Sequence, residues 1–231
     1  MRPEEIREKA NGVAGIALGF EHPSDAKRVW VEMGGTHRLT LNPAAQARLL
    51  AAALELRVDA GARLVLLGND LAGLDAGQCR ALRARIGLLP LSGGLLSQLN
   101  GWENITLPLG YHAPDRLAGS AARVRELLAG FGADAQTLLP KLPEHMDSAE
   151  IRIAVCARAL LEQPDLLLAE CGGQGLEEED GSWAARVAAA YHAACPGGTL
   201  VQLAGTARGE QTGRGLQALE NAATNTEGEE S

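Results

Sequence analysis

The feature that most constrains this chain is an alternation of short apolar runs with helix-like segments. The runs at 12–20, 28–33, 38–41, 62–67, 86–91, 165–169 and 199–203 read as strands. Segments 44–56, 75–85, 118–130, 147–162 and 183–194 read as helices. Strands separated by helices demand a sheet that is at least partly parallel and covered on both faces, so the expected class is α/β. Asn42 followed by Pro43 supplies a helix start: Asn caps, and Pro occupies the first turn, where its missing N–H costs nothing. Residues 95–111 read as mostly irregular. From Gly205 onward large apolar residues almost vanish, and 207–231 is expected to be a solvated acidic tail.

Several function classes drop out on composition. No apolar run approaches the roughly 18–20 residues that a membrane span needs. The charged start, Met1 to Arg7, lacks the apolar core of a signal peptide and points to the cytosol. A net charge of -8 disfavours nucleic acid as a partner, because phosphate contacts need clustered cations. Cys79, Cys156, Cys171 and Cys195 share no CxxC spacing, so neither a zinc site nor a disulfide framework is indicated.

The basic residues are distributed oddly. Of the 21, only Lys9, Lys27 and Lys141 are lysines, which leaves none between 27 and 141. The same region has no Gly between 36 and 60 and no Ser or Thr between 41 and 91.

Three stretches, taken in order, resemble the nucleotide-binding domain of ABC transporters over about residues 12–206. Leu64 to Leu74 followed by Leu82 to Gly87 is similar to the strand, helix and strand before that family's Q-loop. Trp102-Glu103-Asn104-Ile105-Thr106-Leu107-Pro108-Leu109 is similar to its ENV-x-x-PL segment, in the form found in Mla/Mce-type lipid transporters and lipoprotein-release ATPases. Ile153 to Leu160 followed by Gln163 to Glu170 resembles the signature helix running into the Walker B strand. The resemblance implies a P-loop NTPase-type mixed sheet with helices on both faces and a small helical subdomain at about 92–162. It also implies ATP and Mg²⁺ chemistry, an integral-membrane permease partner and a dimer.

The stations that carry the family's chemistry are altered. A Walker A loop works because glycines let backbone N–H groups approach phosphate, Lys reaches the β/γ oxygens and a hydroxyl holds Mg²⁺. The corresponding region, with Asn42, Pro43, Gln46 and Arg48, has no such lysine. Arg48 reads either as a cation beside a helix N-terminus or as an exposed helix arginine. The Q-loop glutamine falls at Leu91. The signature falls at Met146-Asp147-Ser148-Ala149-Glu150, where Asp147 and Glu150 form a D-x-x-E capping box whose carboxylates would repel phosphate. Walker B ends in Ala169-Glu170, so Glu170 is a vestigial general base or simply an acid at a strand end. The switch histidine falls near Gly205, beyond the last histidine, His192.

These changes give an expectation of a catalytically degenerate ATPase-like subunit with no cofactor. It would dock on a permease at the inner face of the membrane, in lipid transport, as a homodimer or with a second ATPase subunit. Leu95, Leu96, Leu99, Trp102, Glu103 and Asn104 are the candidate permease contacts, with Trp102 as aromatic anchor. The alternative is an ATPase that binds nucleotide weakly and hydrolyses it at a composite site with an intact partner, with ATP and Mg²⁺ as cofactors.

Overall fold

The computed structural model describes residues 15–25, 28–91, 94–171 and 177–205. The expected tail at 207–231 lies outside them. Strands β1 (Ile16–Glu21), β2 (Val29–Glu32), β4 (Arg63–Leu66) and β5 (Asn69–Asp70) form an antiparallel sheet in the order β2-β1-β4-β5. Strands β3 (Gly35–Leu41), β6 (Ile86–Leu89), β7 (Leu166–Cys171) and β8 (Thr199–Gly205) form a parallel sheet in the order β3-β8-β7-β6. Helix α1 (Pro43–Glu55) follows β3, and α2 (Ala76–Arg83) lies between β5 and β6. Among the described residues, five α-helices lie between β6 and β7: α3 (Gly101–His112), α4 (Pro114–Leu117), α5 (Ser120–Gly130), α6 (Ala135–Leu138) and α7 (Ser148–Leu161). Helix α8 (Glu177–Ala194) precedes β8.

β7 shows how sequence becomes a layered core. Its run of Leu166, Leu167, Leu168 and Ala169 is buried throughout, as a central parallel strand covered on both faces must be. Successive side chains alternate between faces. Leu166 and Leu168 join a cluster with Leu49 and Ala53 of α1 and Leu18, Leu64 and Leu66 of the antiparallel sheet. Leu167 and Ala169 join a second cluster with Ile153 and Ala157 of α7, Val124 and Leu128 of α5, and Tyr191 of α8. The parallel sheet is thus clamped between two apolar layers, and that clamp fixes where its strand ends emerge.

One expectation is corrected. Much of 95–111 is helical, because α3 opens on a reciprocal capping box between Asn100 and Glu103. Pro108 sits inside this helix and Gly101 and Gly110 flank it, which is why its composition hides it. Gly101 is required by packing: an added Cβ there would lie 2.7 Å from the Leu138 carbonyl oxygen.

Candidate functional site

The carboxyl ends of the four parallel strands fall in one row. Leu41 pairs with Gly205, Ala204 with Cys171, and Ala169 with Leu89. In open α/β sheets ligands bind in the crevice outside these ends.

At the β3 end, one residue, Asn42, separates the strand from α1. Its side chain accepts from the Ala45 N–H at 2.8 Å and its carbonyl accepts from the Gln46 N–H at 3.0 Å. Pro43 has no N–H to give. Two of the donors that a phosphate would seek at this helix start are therefore engaged or missing, while the Gln46 N–H makes the first ordinary bond of the helix. Arg48 does not lie free on the helix surface. It forms an ion pair with Asp25, whose side chain is only 7% exposed, so the exposed-arginine expectation is corrected. A long-range partner, 23 residues upstream, claims the charge.

At the β7 end, Glu170 receives two neutral donors. Gln46 Nε2 donates to Oε1 at 3.0 Å, and the Leu91 N–H donates to Oε2 at 3.3 Å. Leu91, at the expected Q-loop glutamine position, leaves its side chain 47% exposed. Gln46 thus belongs with Glu170 as its partner. No sequence signal joined the two, because 124 residues separate them.

The start of α7 is equally committed. Asp147 and Glu150 form the reciprocal capping box expected of them. Lys141 then donates to both Glu150 oxygens, at 2.6 and 2.9 Å. This partner had no motif to announce it, and it neutralises the acid locally. Ser148 lines a cavity of about 240 Å³ with Glu170, Leu91, Ile151, Arg152, Val155 and Trp183. Arg152 lies over the Trp183 ring at 4.6 Å. Within the same helix, burial pushes the Cys156 thiol up to about 12.

The candidate permease contacts divide. Leu96 is 48% exposed, and Glu103 is exposed while serving the α3 cap. Leu95 and Trp102 are half-buried and packed against the core, and Leu99 is half-buried. Asn104 is fully buried. It accepts from the Leu96 N–H at 2.7 Å and donates to the carbonyls of Leu96, Leu99 and Asn100. Its role in the structure is to clasp the loop before α3. Arg158 pins the same loop by donating to the Gly94 carbonyl.

Among the described residues no group of His, Cys, Asp and Glu is arranged to hold a metal ion. None of their helices is long and apolar enough to cross a membrane.

No family model matches the sequence. The methionine import ATP-binding protein MetN of Xanthomonas euvesicatoria pv. vesicatoria is 32% identical over 171 residues, covering 74% of this chain and 50% of the relative. MetN 2 of Pseudomonas aeruginosa is 30% identical over 136 residues, covering 59% and 40%. Among solved structures, cbiO1 from Clostridium perfringens, part of the ABC transporter complex cbiONQ, superposes with a TM-score of 0.62 at 14% identity, over 83% of this chain and 79% of that one. The ATP-binding cassette MJ0796, solved as a dimer bound to ADP and Pi, gives 0.55 at 16% identity, over 83% and 85%. The chain belongs with ABC transporter nucleotide-binding domains in sequence and fold. It spans about half the length of the curated relatives it matches. Within this ABC domain the row of strand ends brings together Asn42, Gln46 and Glu170, residues at which the sequence leads one to expect the family's nucleotide stations.

Proposed function

We propose that this ABC domain is a catalytically degenerate subunit that supports a membrane permease as a structural partner instead of hydrolysing ATP. One observation carries the reading: Asn42 alone bridges β3 and α1, its side chain occupies the Ala45 N–H that a triphosphate would need, and Pro43 beside it has no N–H to offer. A phosphate grip is built from several charged hydrogen bonds worth about 1.5–3 kcal/mol each. With no lysine between 27 and 141 and Arg48 paired to Asp25, the supply of such bonds is cut from both sequence and geometry. ATP and Mg²⁺ are accordingly absent from the proposed working cycle.

The partner is an integral-membrane permease, with Leu96 and the neighbouring loop held by Asn104 as the docking surface. The domain sits on the cytoplasmic face of the membrane through that permease, paired with a second ATPase subunit or a second copy of itself. Two cargo classes have support of unequal weight. The segment 102–109 favours lipid, whereas the relatives matched over up to 171 residues are named for methionine import. The longer match favours an amino-acid import system.

Titration of the purified chain with ATP and Mg²⁺ tests the reading. No saturable heat at millimolar nucleotide is expected. Saturable binding that is lost in Glu170→Gln would overturn the proposal and favour hydrolysis at a composite site.

A further inference from the structure

The α4–α5 segment places Arg116, Gly119, Ser120 and Arg123 at spacings of three, four and seven residues. The backbone is nearly helical through the junction, with Ala118 at φ -58, ψ -30 and Gly119 at φ -95, ψ 0. Those spacings bring the four residues to one face. They line a cavity of about 320 Å³ whose remaining wall is Leu109, Leu161 and Gln163. This cavity contains none of the residues at the strand ends.

Its two guanidiniums differ in their commitments. Arg123 meets Glu126 at 3.2 Å through Nη1 and the Ala194 carbonyl at 3.4 Å through Nη2, yet its Nε is buried with no partner. That Nε is shut off from solvent, so only the outer nitrogens of Arg123 can meet a ligand in the cavity. Arg116 is exposed and makes no ion pair among the described residues. Ser120 is nearly buried and gives its hydroxyl proton to the Leu117 carbonyl, which leaves its oxygen able to accept only. Gln163 Nε2 is spent on the Ala194 carbonyl at 3.3 Å. The cavity thus offers the exposed guanidinium of Arg116 and the partly engaged one of Arg123 beside an apolar wall of Leu109 and Leu161. Arginine pairs of this kind suit a tetrahedral oxyanion with several acceptor oxygens.

We infer that this cavity binds a phosphate group, carried either by a free small molecule or by a lipid headgroup whose apolar part would lie along Leu109 and Leu161. The inference stands apart from the proposed loss of ATPase activity, since the two sites share no residue.

The test uses the full chain. Inorganic phosphate and pyrophosphate are titrated calorimetrically, and flotation is measured with phosphatidylcholine vesicles with and without phosphatidic acid. Saturable binding to either phosphate source is expected, weakened at least tenfold in Arg116→Gln and unchanged in Arg80→Gln, an exposed arginine on α2. Arg123→Gln should act the same way. Because Arg123 also holds Ala194, the exposed Arg116 variant decides the matter if Arg123→Gln fails to fold. Binding of the free anions identifies a small-molecule source, and flotation only with phosphatidic acid identifies a lipid source. No binding to any of the probes, or binding that Arg116→Gln leaves unchanged, overturns the inference.

Discussion

Gln46 and Glu170 are joined by a 3.0 Å hydrogen bond across the carboxyl end of the parallel sheet, from the first turn of α1 to the end of β7. The bond ties the start of α1 to the acid near the end of β7. A hydrogen bond to a charged acceptor contributes about 1.5–3 kcal/mol, and partial exposure reduces it. Gln46→Ala should therefore destabilise the domain by about 1 kcal/mol in urea unfolding. Under the proposed function neither the parent chain nor Gln46→Ala should bind ATP, and an ATP affinity acquired only by Gln46→Ala would show that Gln46 had been blocking a competent site.

The Asn42 cap makes a sharper prediction. Replacing a capping Asn by Ala costs about 0.5–2 kcal/mol, whereas Gly costs only a few tenths. Asn42→Ala should lower the unfolding midpoint and Asn42→Gly should barely move it. Equal effects would mean that the 2.8 Å bond to the Ala45 N–H does not hold the β3–α1 junction.

Arg48 and Asp25 invite the complementary test. Asp25 has a side chain only 7% exposed, against 29% for Arg48. Removing the arginine leaves a carboxylate with little water to solvate it, and breaking a buried pair costs about 3–5 kcal/mol. Arg48→Ala should approach 3 kcal/mol in denaturant titration. The double change Arg48→Leu with Asp25→Leu should recover much of that loss, since both charges are then gone. A double variant as unstable as Arg48→Ala alone would refute the account.

What could be read from the sequence was local. Asn42 with Pro43, and Asp147 with Glu150, announce their helix starts because every participating atom lies within four residues. The apolar run of β7 likewise announces a strand buried on both faces. The helix α3 is masked in the sequence because Gly101, Pro108 and Gly110 lower its propensity, although the Asn100–Glu103 spacing carries a helix-start signal. The partners at the candidate site were out of reach for another reason. Gln46 with Glu170, Arg48 with Asp25 and Lys141 with Glu150 are 124, 23 and 9 residues apart, and only the packed sheet sets those distances. A motif scan can report a missing lysine, but it cannot report what the remaining side chains do instead.

Asn104 tests whether the loop before α3 is built or merely tolerated. Its amide satisfies one N–H and three carbonyls from full burial. Asn104→Ala orphans those groups, at about 1–3 kcal/mol for each that stays dry. A loss of about 2–3 kcal/mol is expected, with faster amide exchange at Leu96 and little change in β7. Uniform acceleration across the domain would show global destabilisation without a specific clasp.

The cysteines give a prediction with a definite pH sign. Burial pushes the Cys156 thiol up to about 12 and the Cys195 thiol up to about 11, while Cys79 is half-buried on α2. The thiolate is the reactive form. Iodoacetamide at pH 8 should therefore label Cys79 well before Cys156 or Cys195, read by peptide mass spectrometry. In the unfolded chain these two thiols ionise from about pH 8.5, but in the fold they stay protonated to higher pH. Between the unfolded and the raised folded values the unfolded state binds fewer protons, so stability falls as pH rises through that window. Cys156→Ala should flatten that decline between about pH 9 and 11, as well as losing packing in α7. An alkaline stability curve that Cys156→Ala leaves as steep as in the parent chain would assign the decline to other groups.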